Sequence, residues 1–306
     1  MRHRYLIRAA LGVAVVASAC APGTAGSPSP SFVGGGSPTV LPVLVSSEVA
    51  TGPNRLVFSF LDAKTNRPAA SPERSASFAF VPATSSSGNP VAKSVGEFFW
   101  GIEGVNGLYV TNVTLPMAGD WSAEVTTSAP GAPTETIRFD FQVKDDASAI
   151  RVGEKAPASD TPTAADVGGD LAQLSTDEDP DPAFYESSVV DAVTGGQPFV
   201  LVFATPAFCT SKQCGPTLDS VKPLAAEFPA VTFIHVEPFE LAVVDGRLQP
   251  VLDGNGQLKA VAAVNEWGLL SEPWTFVVDG SGVVQASFEG AAADDELRDS
   301  IEAVAG

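Results

Sequence analysis

Between residues 38 and 145 apolar side chains recur at every second position. Leu56, Phe58 and Phe60 do so, then Phe78 and Phe80, then Ile137, Phe139, Phe141 and Val143. A period of two belongs to a strand with one buried and one solvated face. Turn-forming clusters separate these runs: Gly52-Pro53-Asn54, the TSSSGNP stretch at 84–90, Val105-Asn106-Gly107, Ala118-Gly119-Asp120, and residues 129–133. The pattern predicts several short strands, with Trp121 in their shared core.

From residue 184 the pattern changes. Residues 198–204 (PFVLVFA) and 231–236 (VTFIHV) are continuous apolar runs, as strands buried on both faces should be. Residues 184–193 fit a short helix ending at Gly195-Gly196. Residues 214–228 fit a helix interrupted by Pro223, 258–267 a third helix, and 293–304 an amphipathic terminal helix. Residues 274–278 and 283–288 flank Asp279-Gly280-Ser281-Gly282, a hairpin signal. Helix and strand in alternation predict an α/β domain over 184–306. Residues 146–183 form a polar linker and lead-in. Its acidic cluster, Asp177, Glu178, Asp179 and Asp181, reads as a solvated loop. Asp253-Gly254-Asn255-Gly256-Gln257 reads as a turn entering a helix, because Val264 stands where a calcium loop needs its closing acid.

Charge narrows the partners. The formal net charge is −19, and such a surface repels nucleic-acid phosphates. The chain begins with Arg2, His3, Arg4 and Arg8, then a short apolar stretch at 9–17, too short to span a bilayer. It ends in Ala17-Ser18-Ala19-Cys20, which resembles a bacterial lipobox with Ala17 in place of the usual leucine. Residues 1–19 are therefore expected to be an export signal, and Cys20 a lipidated residue. Residues 20–37, rich in Gly, Ser and Pro, are the expected tether. That places the protein outside the cytoplasm, held to the cell membrane by lipid.

With Cys20 lipidated, two of the three cysteines remain, Cys209 and Cys214. An exported compartment permits a disulfide between them. A cysteine leaving a strand for a helix meets unpaired amides and the helix dipole, which stabilise a thiolate. On one regular helix, side chains five positions apart diverge by about 140°. Closure of the pair therefore calls for Cys209 in the loop or a distorted first turn. Lys212, between the cysteines, favours a thiolate, and the chemistry calls for no cofactor.

Two segments carry a family resemblance. Val200-Leu-Val-Phe-Ala-Thr-Pro-Ala-Phe-Cys209 is similar to the strand and aromatic-Cys loop of the thioredoxin superfamily, with Phe208 where Trp usually stands. Trp267-Gly-Leu-Leu-Ser-Glu-Pro273-Trp-Thr-Phe-Val-Val-Asp279-Gly is similar to that family's aromatic-Gly segment, cis-proline, strand and hairpin. Gly153-Glu-Lys-Ala-Pro157 resembles the lead-in of exported TlpA-like members. The resemblance implies a C-terminal α/β thioredoxin fold over 184–306, with Cys209, Cys214 and Pro273 catalytic and Phe208 and Lys212 supporting. The strands of 38–145 resemble an immunoglobulin-like sandwich. Four residues separate the cysteines where thioredoxins have two, and Phe203 stands where they bury an acid. Counting from the strand makes Cys209 the attacking cysteine; counting from Cys214-Gly215-Pro216-Thr217 makes it Cys214.

Phe203-x4-Phe208-Cys209 and Cys214-Gly-Pro-Thr-Leu also resemble the Sco copper chaperones. That implies copper(I) on Cys209, Cys214 and His235. The leading expectation is a membrane-anchored thiol–disulfide oxidoreductase acting on protein thiols and disulfides of exported proteins. The alternatives are a binding lipoprotein whose disulfide is a staple, and the copper carrier. No nucleic acid is expected as a partner, and no partner of the sandwich is named.

Overall fold

Period-two alternation becomes two facing sheets. The computed structural model describes residues 31–32, 37–85 and 88–306, the first two by backbone alone. The export segment 1–19, Cys20 and most of the tether lie outside the described residues. The strands are β1 (Ser31–Phe32), β2 (Val40–Leu44), β3 (Gly52–Asp62), β4 (Ser75–Pro82), β5 (Ala92–Val95), β6 (Glu97–Ile102), β7 (Asn106–Leu115), β8 (Gly119–Ser128) and β9 (Glu135–Val143). One sheet runs β1-β9-β8-β4-β5, the other β2-β3-β7-β6. Their inner faces meet in one apolar cluster that includes Leu56, Phe58, Phe60, Phe78, Phe80, Tyr109, Trp121 and Ile137. Phe58 of β3 stacks on Phe78 of β4 with centroids 4.3 Å apart, joining the two sheets.

The second half contains α1 (Val189–Gly195), β10 (Phe199–Phe203), α2 (Cys214–Glu227), β11 (Thr232–Val236), β12 (Leu241–Val244), β13 (Arg247–Pro250), α3 (Ala262–Glu266), β14 (Trp274–Val278), β15 (Val284–Glu289) and α4 (Asp294–Ala305). Its main sheet runs β11-β10-β14-β15. β10 is parallel to β11 and antiparallel to β14. Every residue of β10 and β14 is buried, because side chains cover both faces. Phe199, Leu201 and Phe203 pack on one side with Ile234, Trp267 and Phe276. Val200 and Val202 pack on the other with Leu218, Val221, Phe233, Leu297 and Ile301.

The expected division into an all-β half and an α/β thioredoxin half is corrected here. Among the described residues strands dominate, in four sheets, and the α-helices are short. The helix expected over 258–267 shrinks to the five residues of α3. Residues 239–260 form short extended stretches joined by turns. β12 and β13 form a hairpin of their own, and isolated bridges join Phe239 to Ala260 and Leu252 to Leu258. The turn at Asp253 therefore leads into a bridge, its carboxylate accepting the Asn255 and Gln257 amides at 2.8 and 2.9 Å. Within the lead-in only three 3-10 turns form, one of them Pro182–Tyr185. Asp177 of its acidic run is anchored by Lys222 at 2.6 Å rather than solvated.

The halves touch directly. Arg55 of β3 makes a two-pronged ion pair with Glu296 of α4, at 2.8 and 2.7 Å. Its guanidinium lies over the Phe288 ring at 5.1 Å. Val57, Phe99, Leu108 and Val110 of the sandwich bury Ala291 beside it.

Candidate functional site

β10 delivers the chain to the cysteine loop. After Phe203, the Thr205 carbonyl accepts the Phe208 and Cys209 amides at 3.2 and 3.0 Å, closing a tight turn. Cys209 therefore leaves the turn ahead of the helix, and Lys212 takes a left-handed conformation with φ 60°. α2 begins at Cys214. With one cysteine in the loop and the other on the first helical residue, the side chains meet, and Cys209 and Cys214 form a disulfide with Cα atoms 6.0 Å apart.

The two sulfurs sit in different surroundings. Cys214 is fully buried, whereas Cys209 is only partly covered. The Cys214 amide, one of the donors a helix leaves unpaired at its start, points at Cys209 Sγ at 3.3 Å. The Ser211 hydroxyl lies 3.2 Å from the same sulfur and accepts the Gln213 amide at 3.3 Å. Both the Cys214 amide and the Ser211 hydroxyl are aimed at the sulfur of Cys209. The amide opens α2 and the hydroxyl lies in the loop before it.

The other predicted residues are placed as follows. Phe208 is half-buried beside Cys209, and Lys212 is exposed. Pro273 is buried at the head of β14, and the Glu272–Pro273 bond is cis. The next residue, Trp274, pairs with Phe203 of β10. The Pro273 carbonyl accepts the Gly290 amide at 2.8 Å, and the Gly290 carbonyl accepts Thr217 Oγ1 of α2 at 3.4 Å. Beside Pro273, burial holds the Glu272 carboxyl above its usual range.

His235 is buried with both ring nitrogens engaged. Nε2 donates to the Ala204 carbonyl at 2.9 Å. A carbonyl only accepts, so Nδ1 is the acceptor for the Tyr185 hydroxyl at 2.7 Å. Desolvation holds the His235 imidazole below its usual pKa and pushes the Tyr185 phenol up. Among the described residues no group of three His, Cys, Asp or Glu could hold a metal ion. The copper set of Cys209, Cys214 and His235 is therefore not brought together.

Several residues escaped the sequence reading. Beneath the loop lies Glu237, 7% exposed. One of its oxygens accepts the Thr176 amide and hydroxyl at 2.7 and 2.6 Å. Thr176 Oγ1 in turn accepts the Ala207 amide at 3.1 Å, linking the carboxylate to the loop. The other oxygen of Glu237, the hydroxyl of Thr205 and the amide oxygen of Gln213 are buried without partners among the described residues. The alternation His235-Val236-Glu237 carried a weak signal, since it puts His235, on β11, and Glu237, the residue just past the strand's end, on one side of the chain. A cavity of about 290 Å³ lined by Tyr185, His235 and Glu237 lies behind this cluster. A larger cleft of about 570 Å³, between β3, β7 and β15, contains none of the cysteine-loop residues.

No family model matches the chain, and no curated protein matches it. A solved structure that matches is a DUF4426 family protein from Pseudomonas aeruginosa PAO1, 14% identical, at TM-score 0.25, covering 35% of this chain and 90% of that one. No thioredoxin-like protein is among the matches. The assignment to the thioredoxin superfamily and its TlpA-like members, read from short motifs, is corrected accordingly and carried no further. Those motifs are strand-and-turn patterns a few residues long, which a strand-rich chain also supplies.

Proposed function

We propose that this chain is a thiol–disulfide oxidoreductase in which Cys209 attacks and Cys214 resolves. One observation carries the reading: the partly exposed sulfur of Cys209 receives the helix-start amide and the Ser211 hydroxyl, while the sulfur of Cys214 lies buried behind it. The Cys209 thiolate attacks a substrate disulfide, forming a mixed disulfide and expelling one substrate thiolate. The Cys214 thiolate then attacks the Cys209 sulfur and expels the second. Two electrons pass to the substrate, and the two protons of the Cys209 and Cys214 thiols go to the substrate thiols. Run backwards, the same steps oxidise a substrate dithiol. The substrates are protein thiols and disulfides of exported proteins, which the export signal, Cys20 and the tether read from the sequence support.

Cys214→Ser should trap a mixed disulfide on Cys209 when the reduced protein meets a disulfide-bonded peptide, and Cys209→Ser should trap none. Equal trapping by both variants, or none by either, overturns the proposal. A structural staple is the second reading, favoured by the complete burial of Cys214. It requires a pair that resists reduction.

A further inference from the structure

Gln213 is the last residue before α2, and it is only 6% exposed. A buried amide needs partners, and this one finds its donor's partner 112 positions away in the chain. Nε2 donates to the Gly101 carbonyl of β6 at 2.8 Å. That carbonyl is available because β6 slips register against β7 there. Trp100 pairs with Gly107 and Ile102 with Asn106, leaving Gly101 as the extra residue. A side chain at Gly101 would be crowded, since a Cβ would lie 2.7 Å from Leu108 Cδ1 and 3.2 Å from Gln213 Oε1. The bulge, its glycine and the buried glutamine together form a fitted contact between the sandwich and the cysteine loop.

We infer that Gln213 is a positioning residue through which the sandwich sets the reactivity of Cys209, an inference that rests on the exchange reading above. The peptide joining Gln213 to Cys214 carries the amide that points at Cys209 Sγ. Anchoring the Gln213 side chain to β6 fixes the plane of that peptide, and the Thr217–Gly290 contact holds the same helical turn from its other side. Gln213 makes no hydrogen bond to either sulfur, so its effect passes through the Cys214 amide and through Ser211, whose hydroxyl accepts the Gln213 amide beside Cys209 Sγ. Of the charged groups on the loop, only the exposed Lys212 lies between the cysteines, and it is unchanged by the variants below.

The test uses Gln213→Met, which keeps the volume and removes the amide, and Gly101→Ala, which crowds the contact from the sandwich side. A thiolate deprived of a well-aimed donor is less stable, which disfavours the reduced state. In glutathione buffers both variants should shift the dithiol–disulfide equilibrium toward the disulfide by about threefold to tenfold, the size of one hydrogen bond. Alkylation of reduced Cys209 at neutral pH should slow in the same variants, and the double variant should add little to either single one. Unchanged equilibrium and alkylation in Gln213→Met, or in Gly101→Ala if the first does not fold, overturn the inference. Both readouts exist even if the pair exchanges with no protein, so this failure is distinguishable from failure of the exchange reading, which the trapping variants report.

Discussion

The sandwich and the cysteine-bearing half treat buried polar groups differently. In the sandwich each fully buried polar side chain has a partner. Ser59 donates to the Gly107 carbonyl, Thr111 to Val95, Thr127 to Ser75 and Ser122 to Asp140. Glu135 uses both oxygens on Thr39. Only the half-buried Ser94 hydroxyl is without one among the described residues. In the other half, buried side-chain oxygens without a hydrogen-bond partner among the described residues belong to Asp177, Thr205, Gln213 and Glu237. Asp177 is ion-paired to Lys222, Thr205 and Gln213 belong to the cysteine loop, and Glu237 reaches it through Thr176. A buried group left unpaired costs about 1–3 kcal/mol. The contrast teaches that one half is built for stability, while the other concentrates that cost around a pair of sulfurs.

The sandwich core is where a single substitution costs most. Phe58→Ala removes a ring stacked between the sheets and should cost about 3–5 kcal/mol in denaturant unfolding. Phe58 lies between the sheets, away from the Gly101–Gln213 contact, so thiol exchange by the folded fraction should be untouched. A loss of exchange would mean that the sandwich core, and not only that contact, bears on the cysteines. A matched pair of smaller changes sharpens the contrast. Thr127→Val deprives the Ser75 carbonyl and Arg74 of a partner, and should cost about 1–2 kcal/mol. Thr205→Val removes a hydroxyl that has none, and should be neutral or stabilising by up to about 1 kcal/mol. Equal costs at the two sites would contradict the distinction.

A still smaller effect concerns pH. Burial keeps the His235 ring neutral, with a folded pKa below the unfolded value of about 6.5. The unfolded chain therefore binds the proton first. His235 contributes stability that is present above about pH 6.5 and is lost as the pH falls through and below that value. His235→Gln should be less stable at pH 8 and should lose less on going to pH 5.5. Carboxylates held low by turn amides, such as Asp253 and Asp279, titrate well below this window. Parallel stability curves for the two proteins would show that the ring does not stay neutral.

Much of this was legible in the sequence, because alternation and burial are local. Phe78 and Phe80 announced an inward face, and PFVLVFA announced β10. The hairpin of β12 and β13 was hidden, since Val243 and Val244 are exposed and show no alternation between buried and solvated faces. At the site, Cys209 and Cys214 stood out by spacing. Gln213 did not, because its contact depends on a bulge in a strand 112 residues earlier. Glu237 carried a weak signal in its register with His235, which becomes readable only once β11 is known to be covered on both faces. The family assignment failed for a related reason: short motifs repeat local geometry without the long-range contacts that distinguish one protein from another.

The most direct test of the account is the reduction potential of the Cys209–Cys214 pair, measured by equilibrating the purified protein in glutathione buffers and counting free thiols by mass. A redox pair whose attacking thiolate is stabilised by a helix-start amide should lie between about −120 and −270 mV, the span of exchange-active dithiols. A value below about −300 mV, where structural disulfides lie, would contradict it.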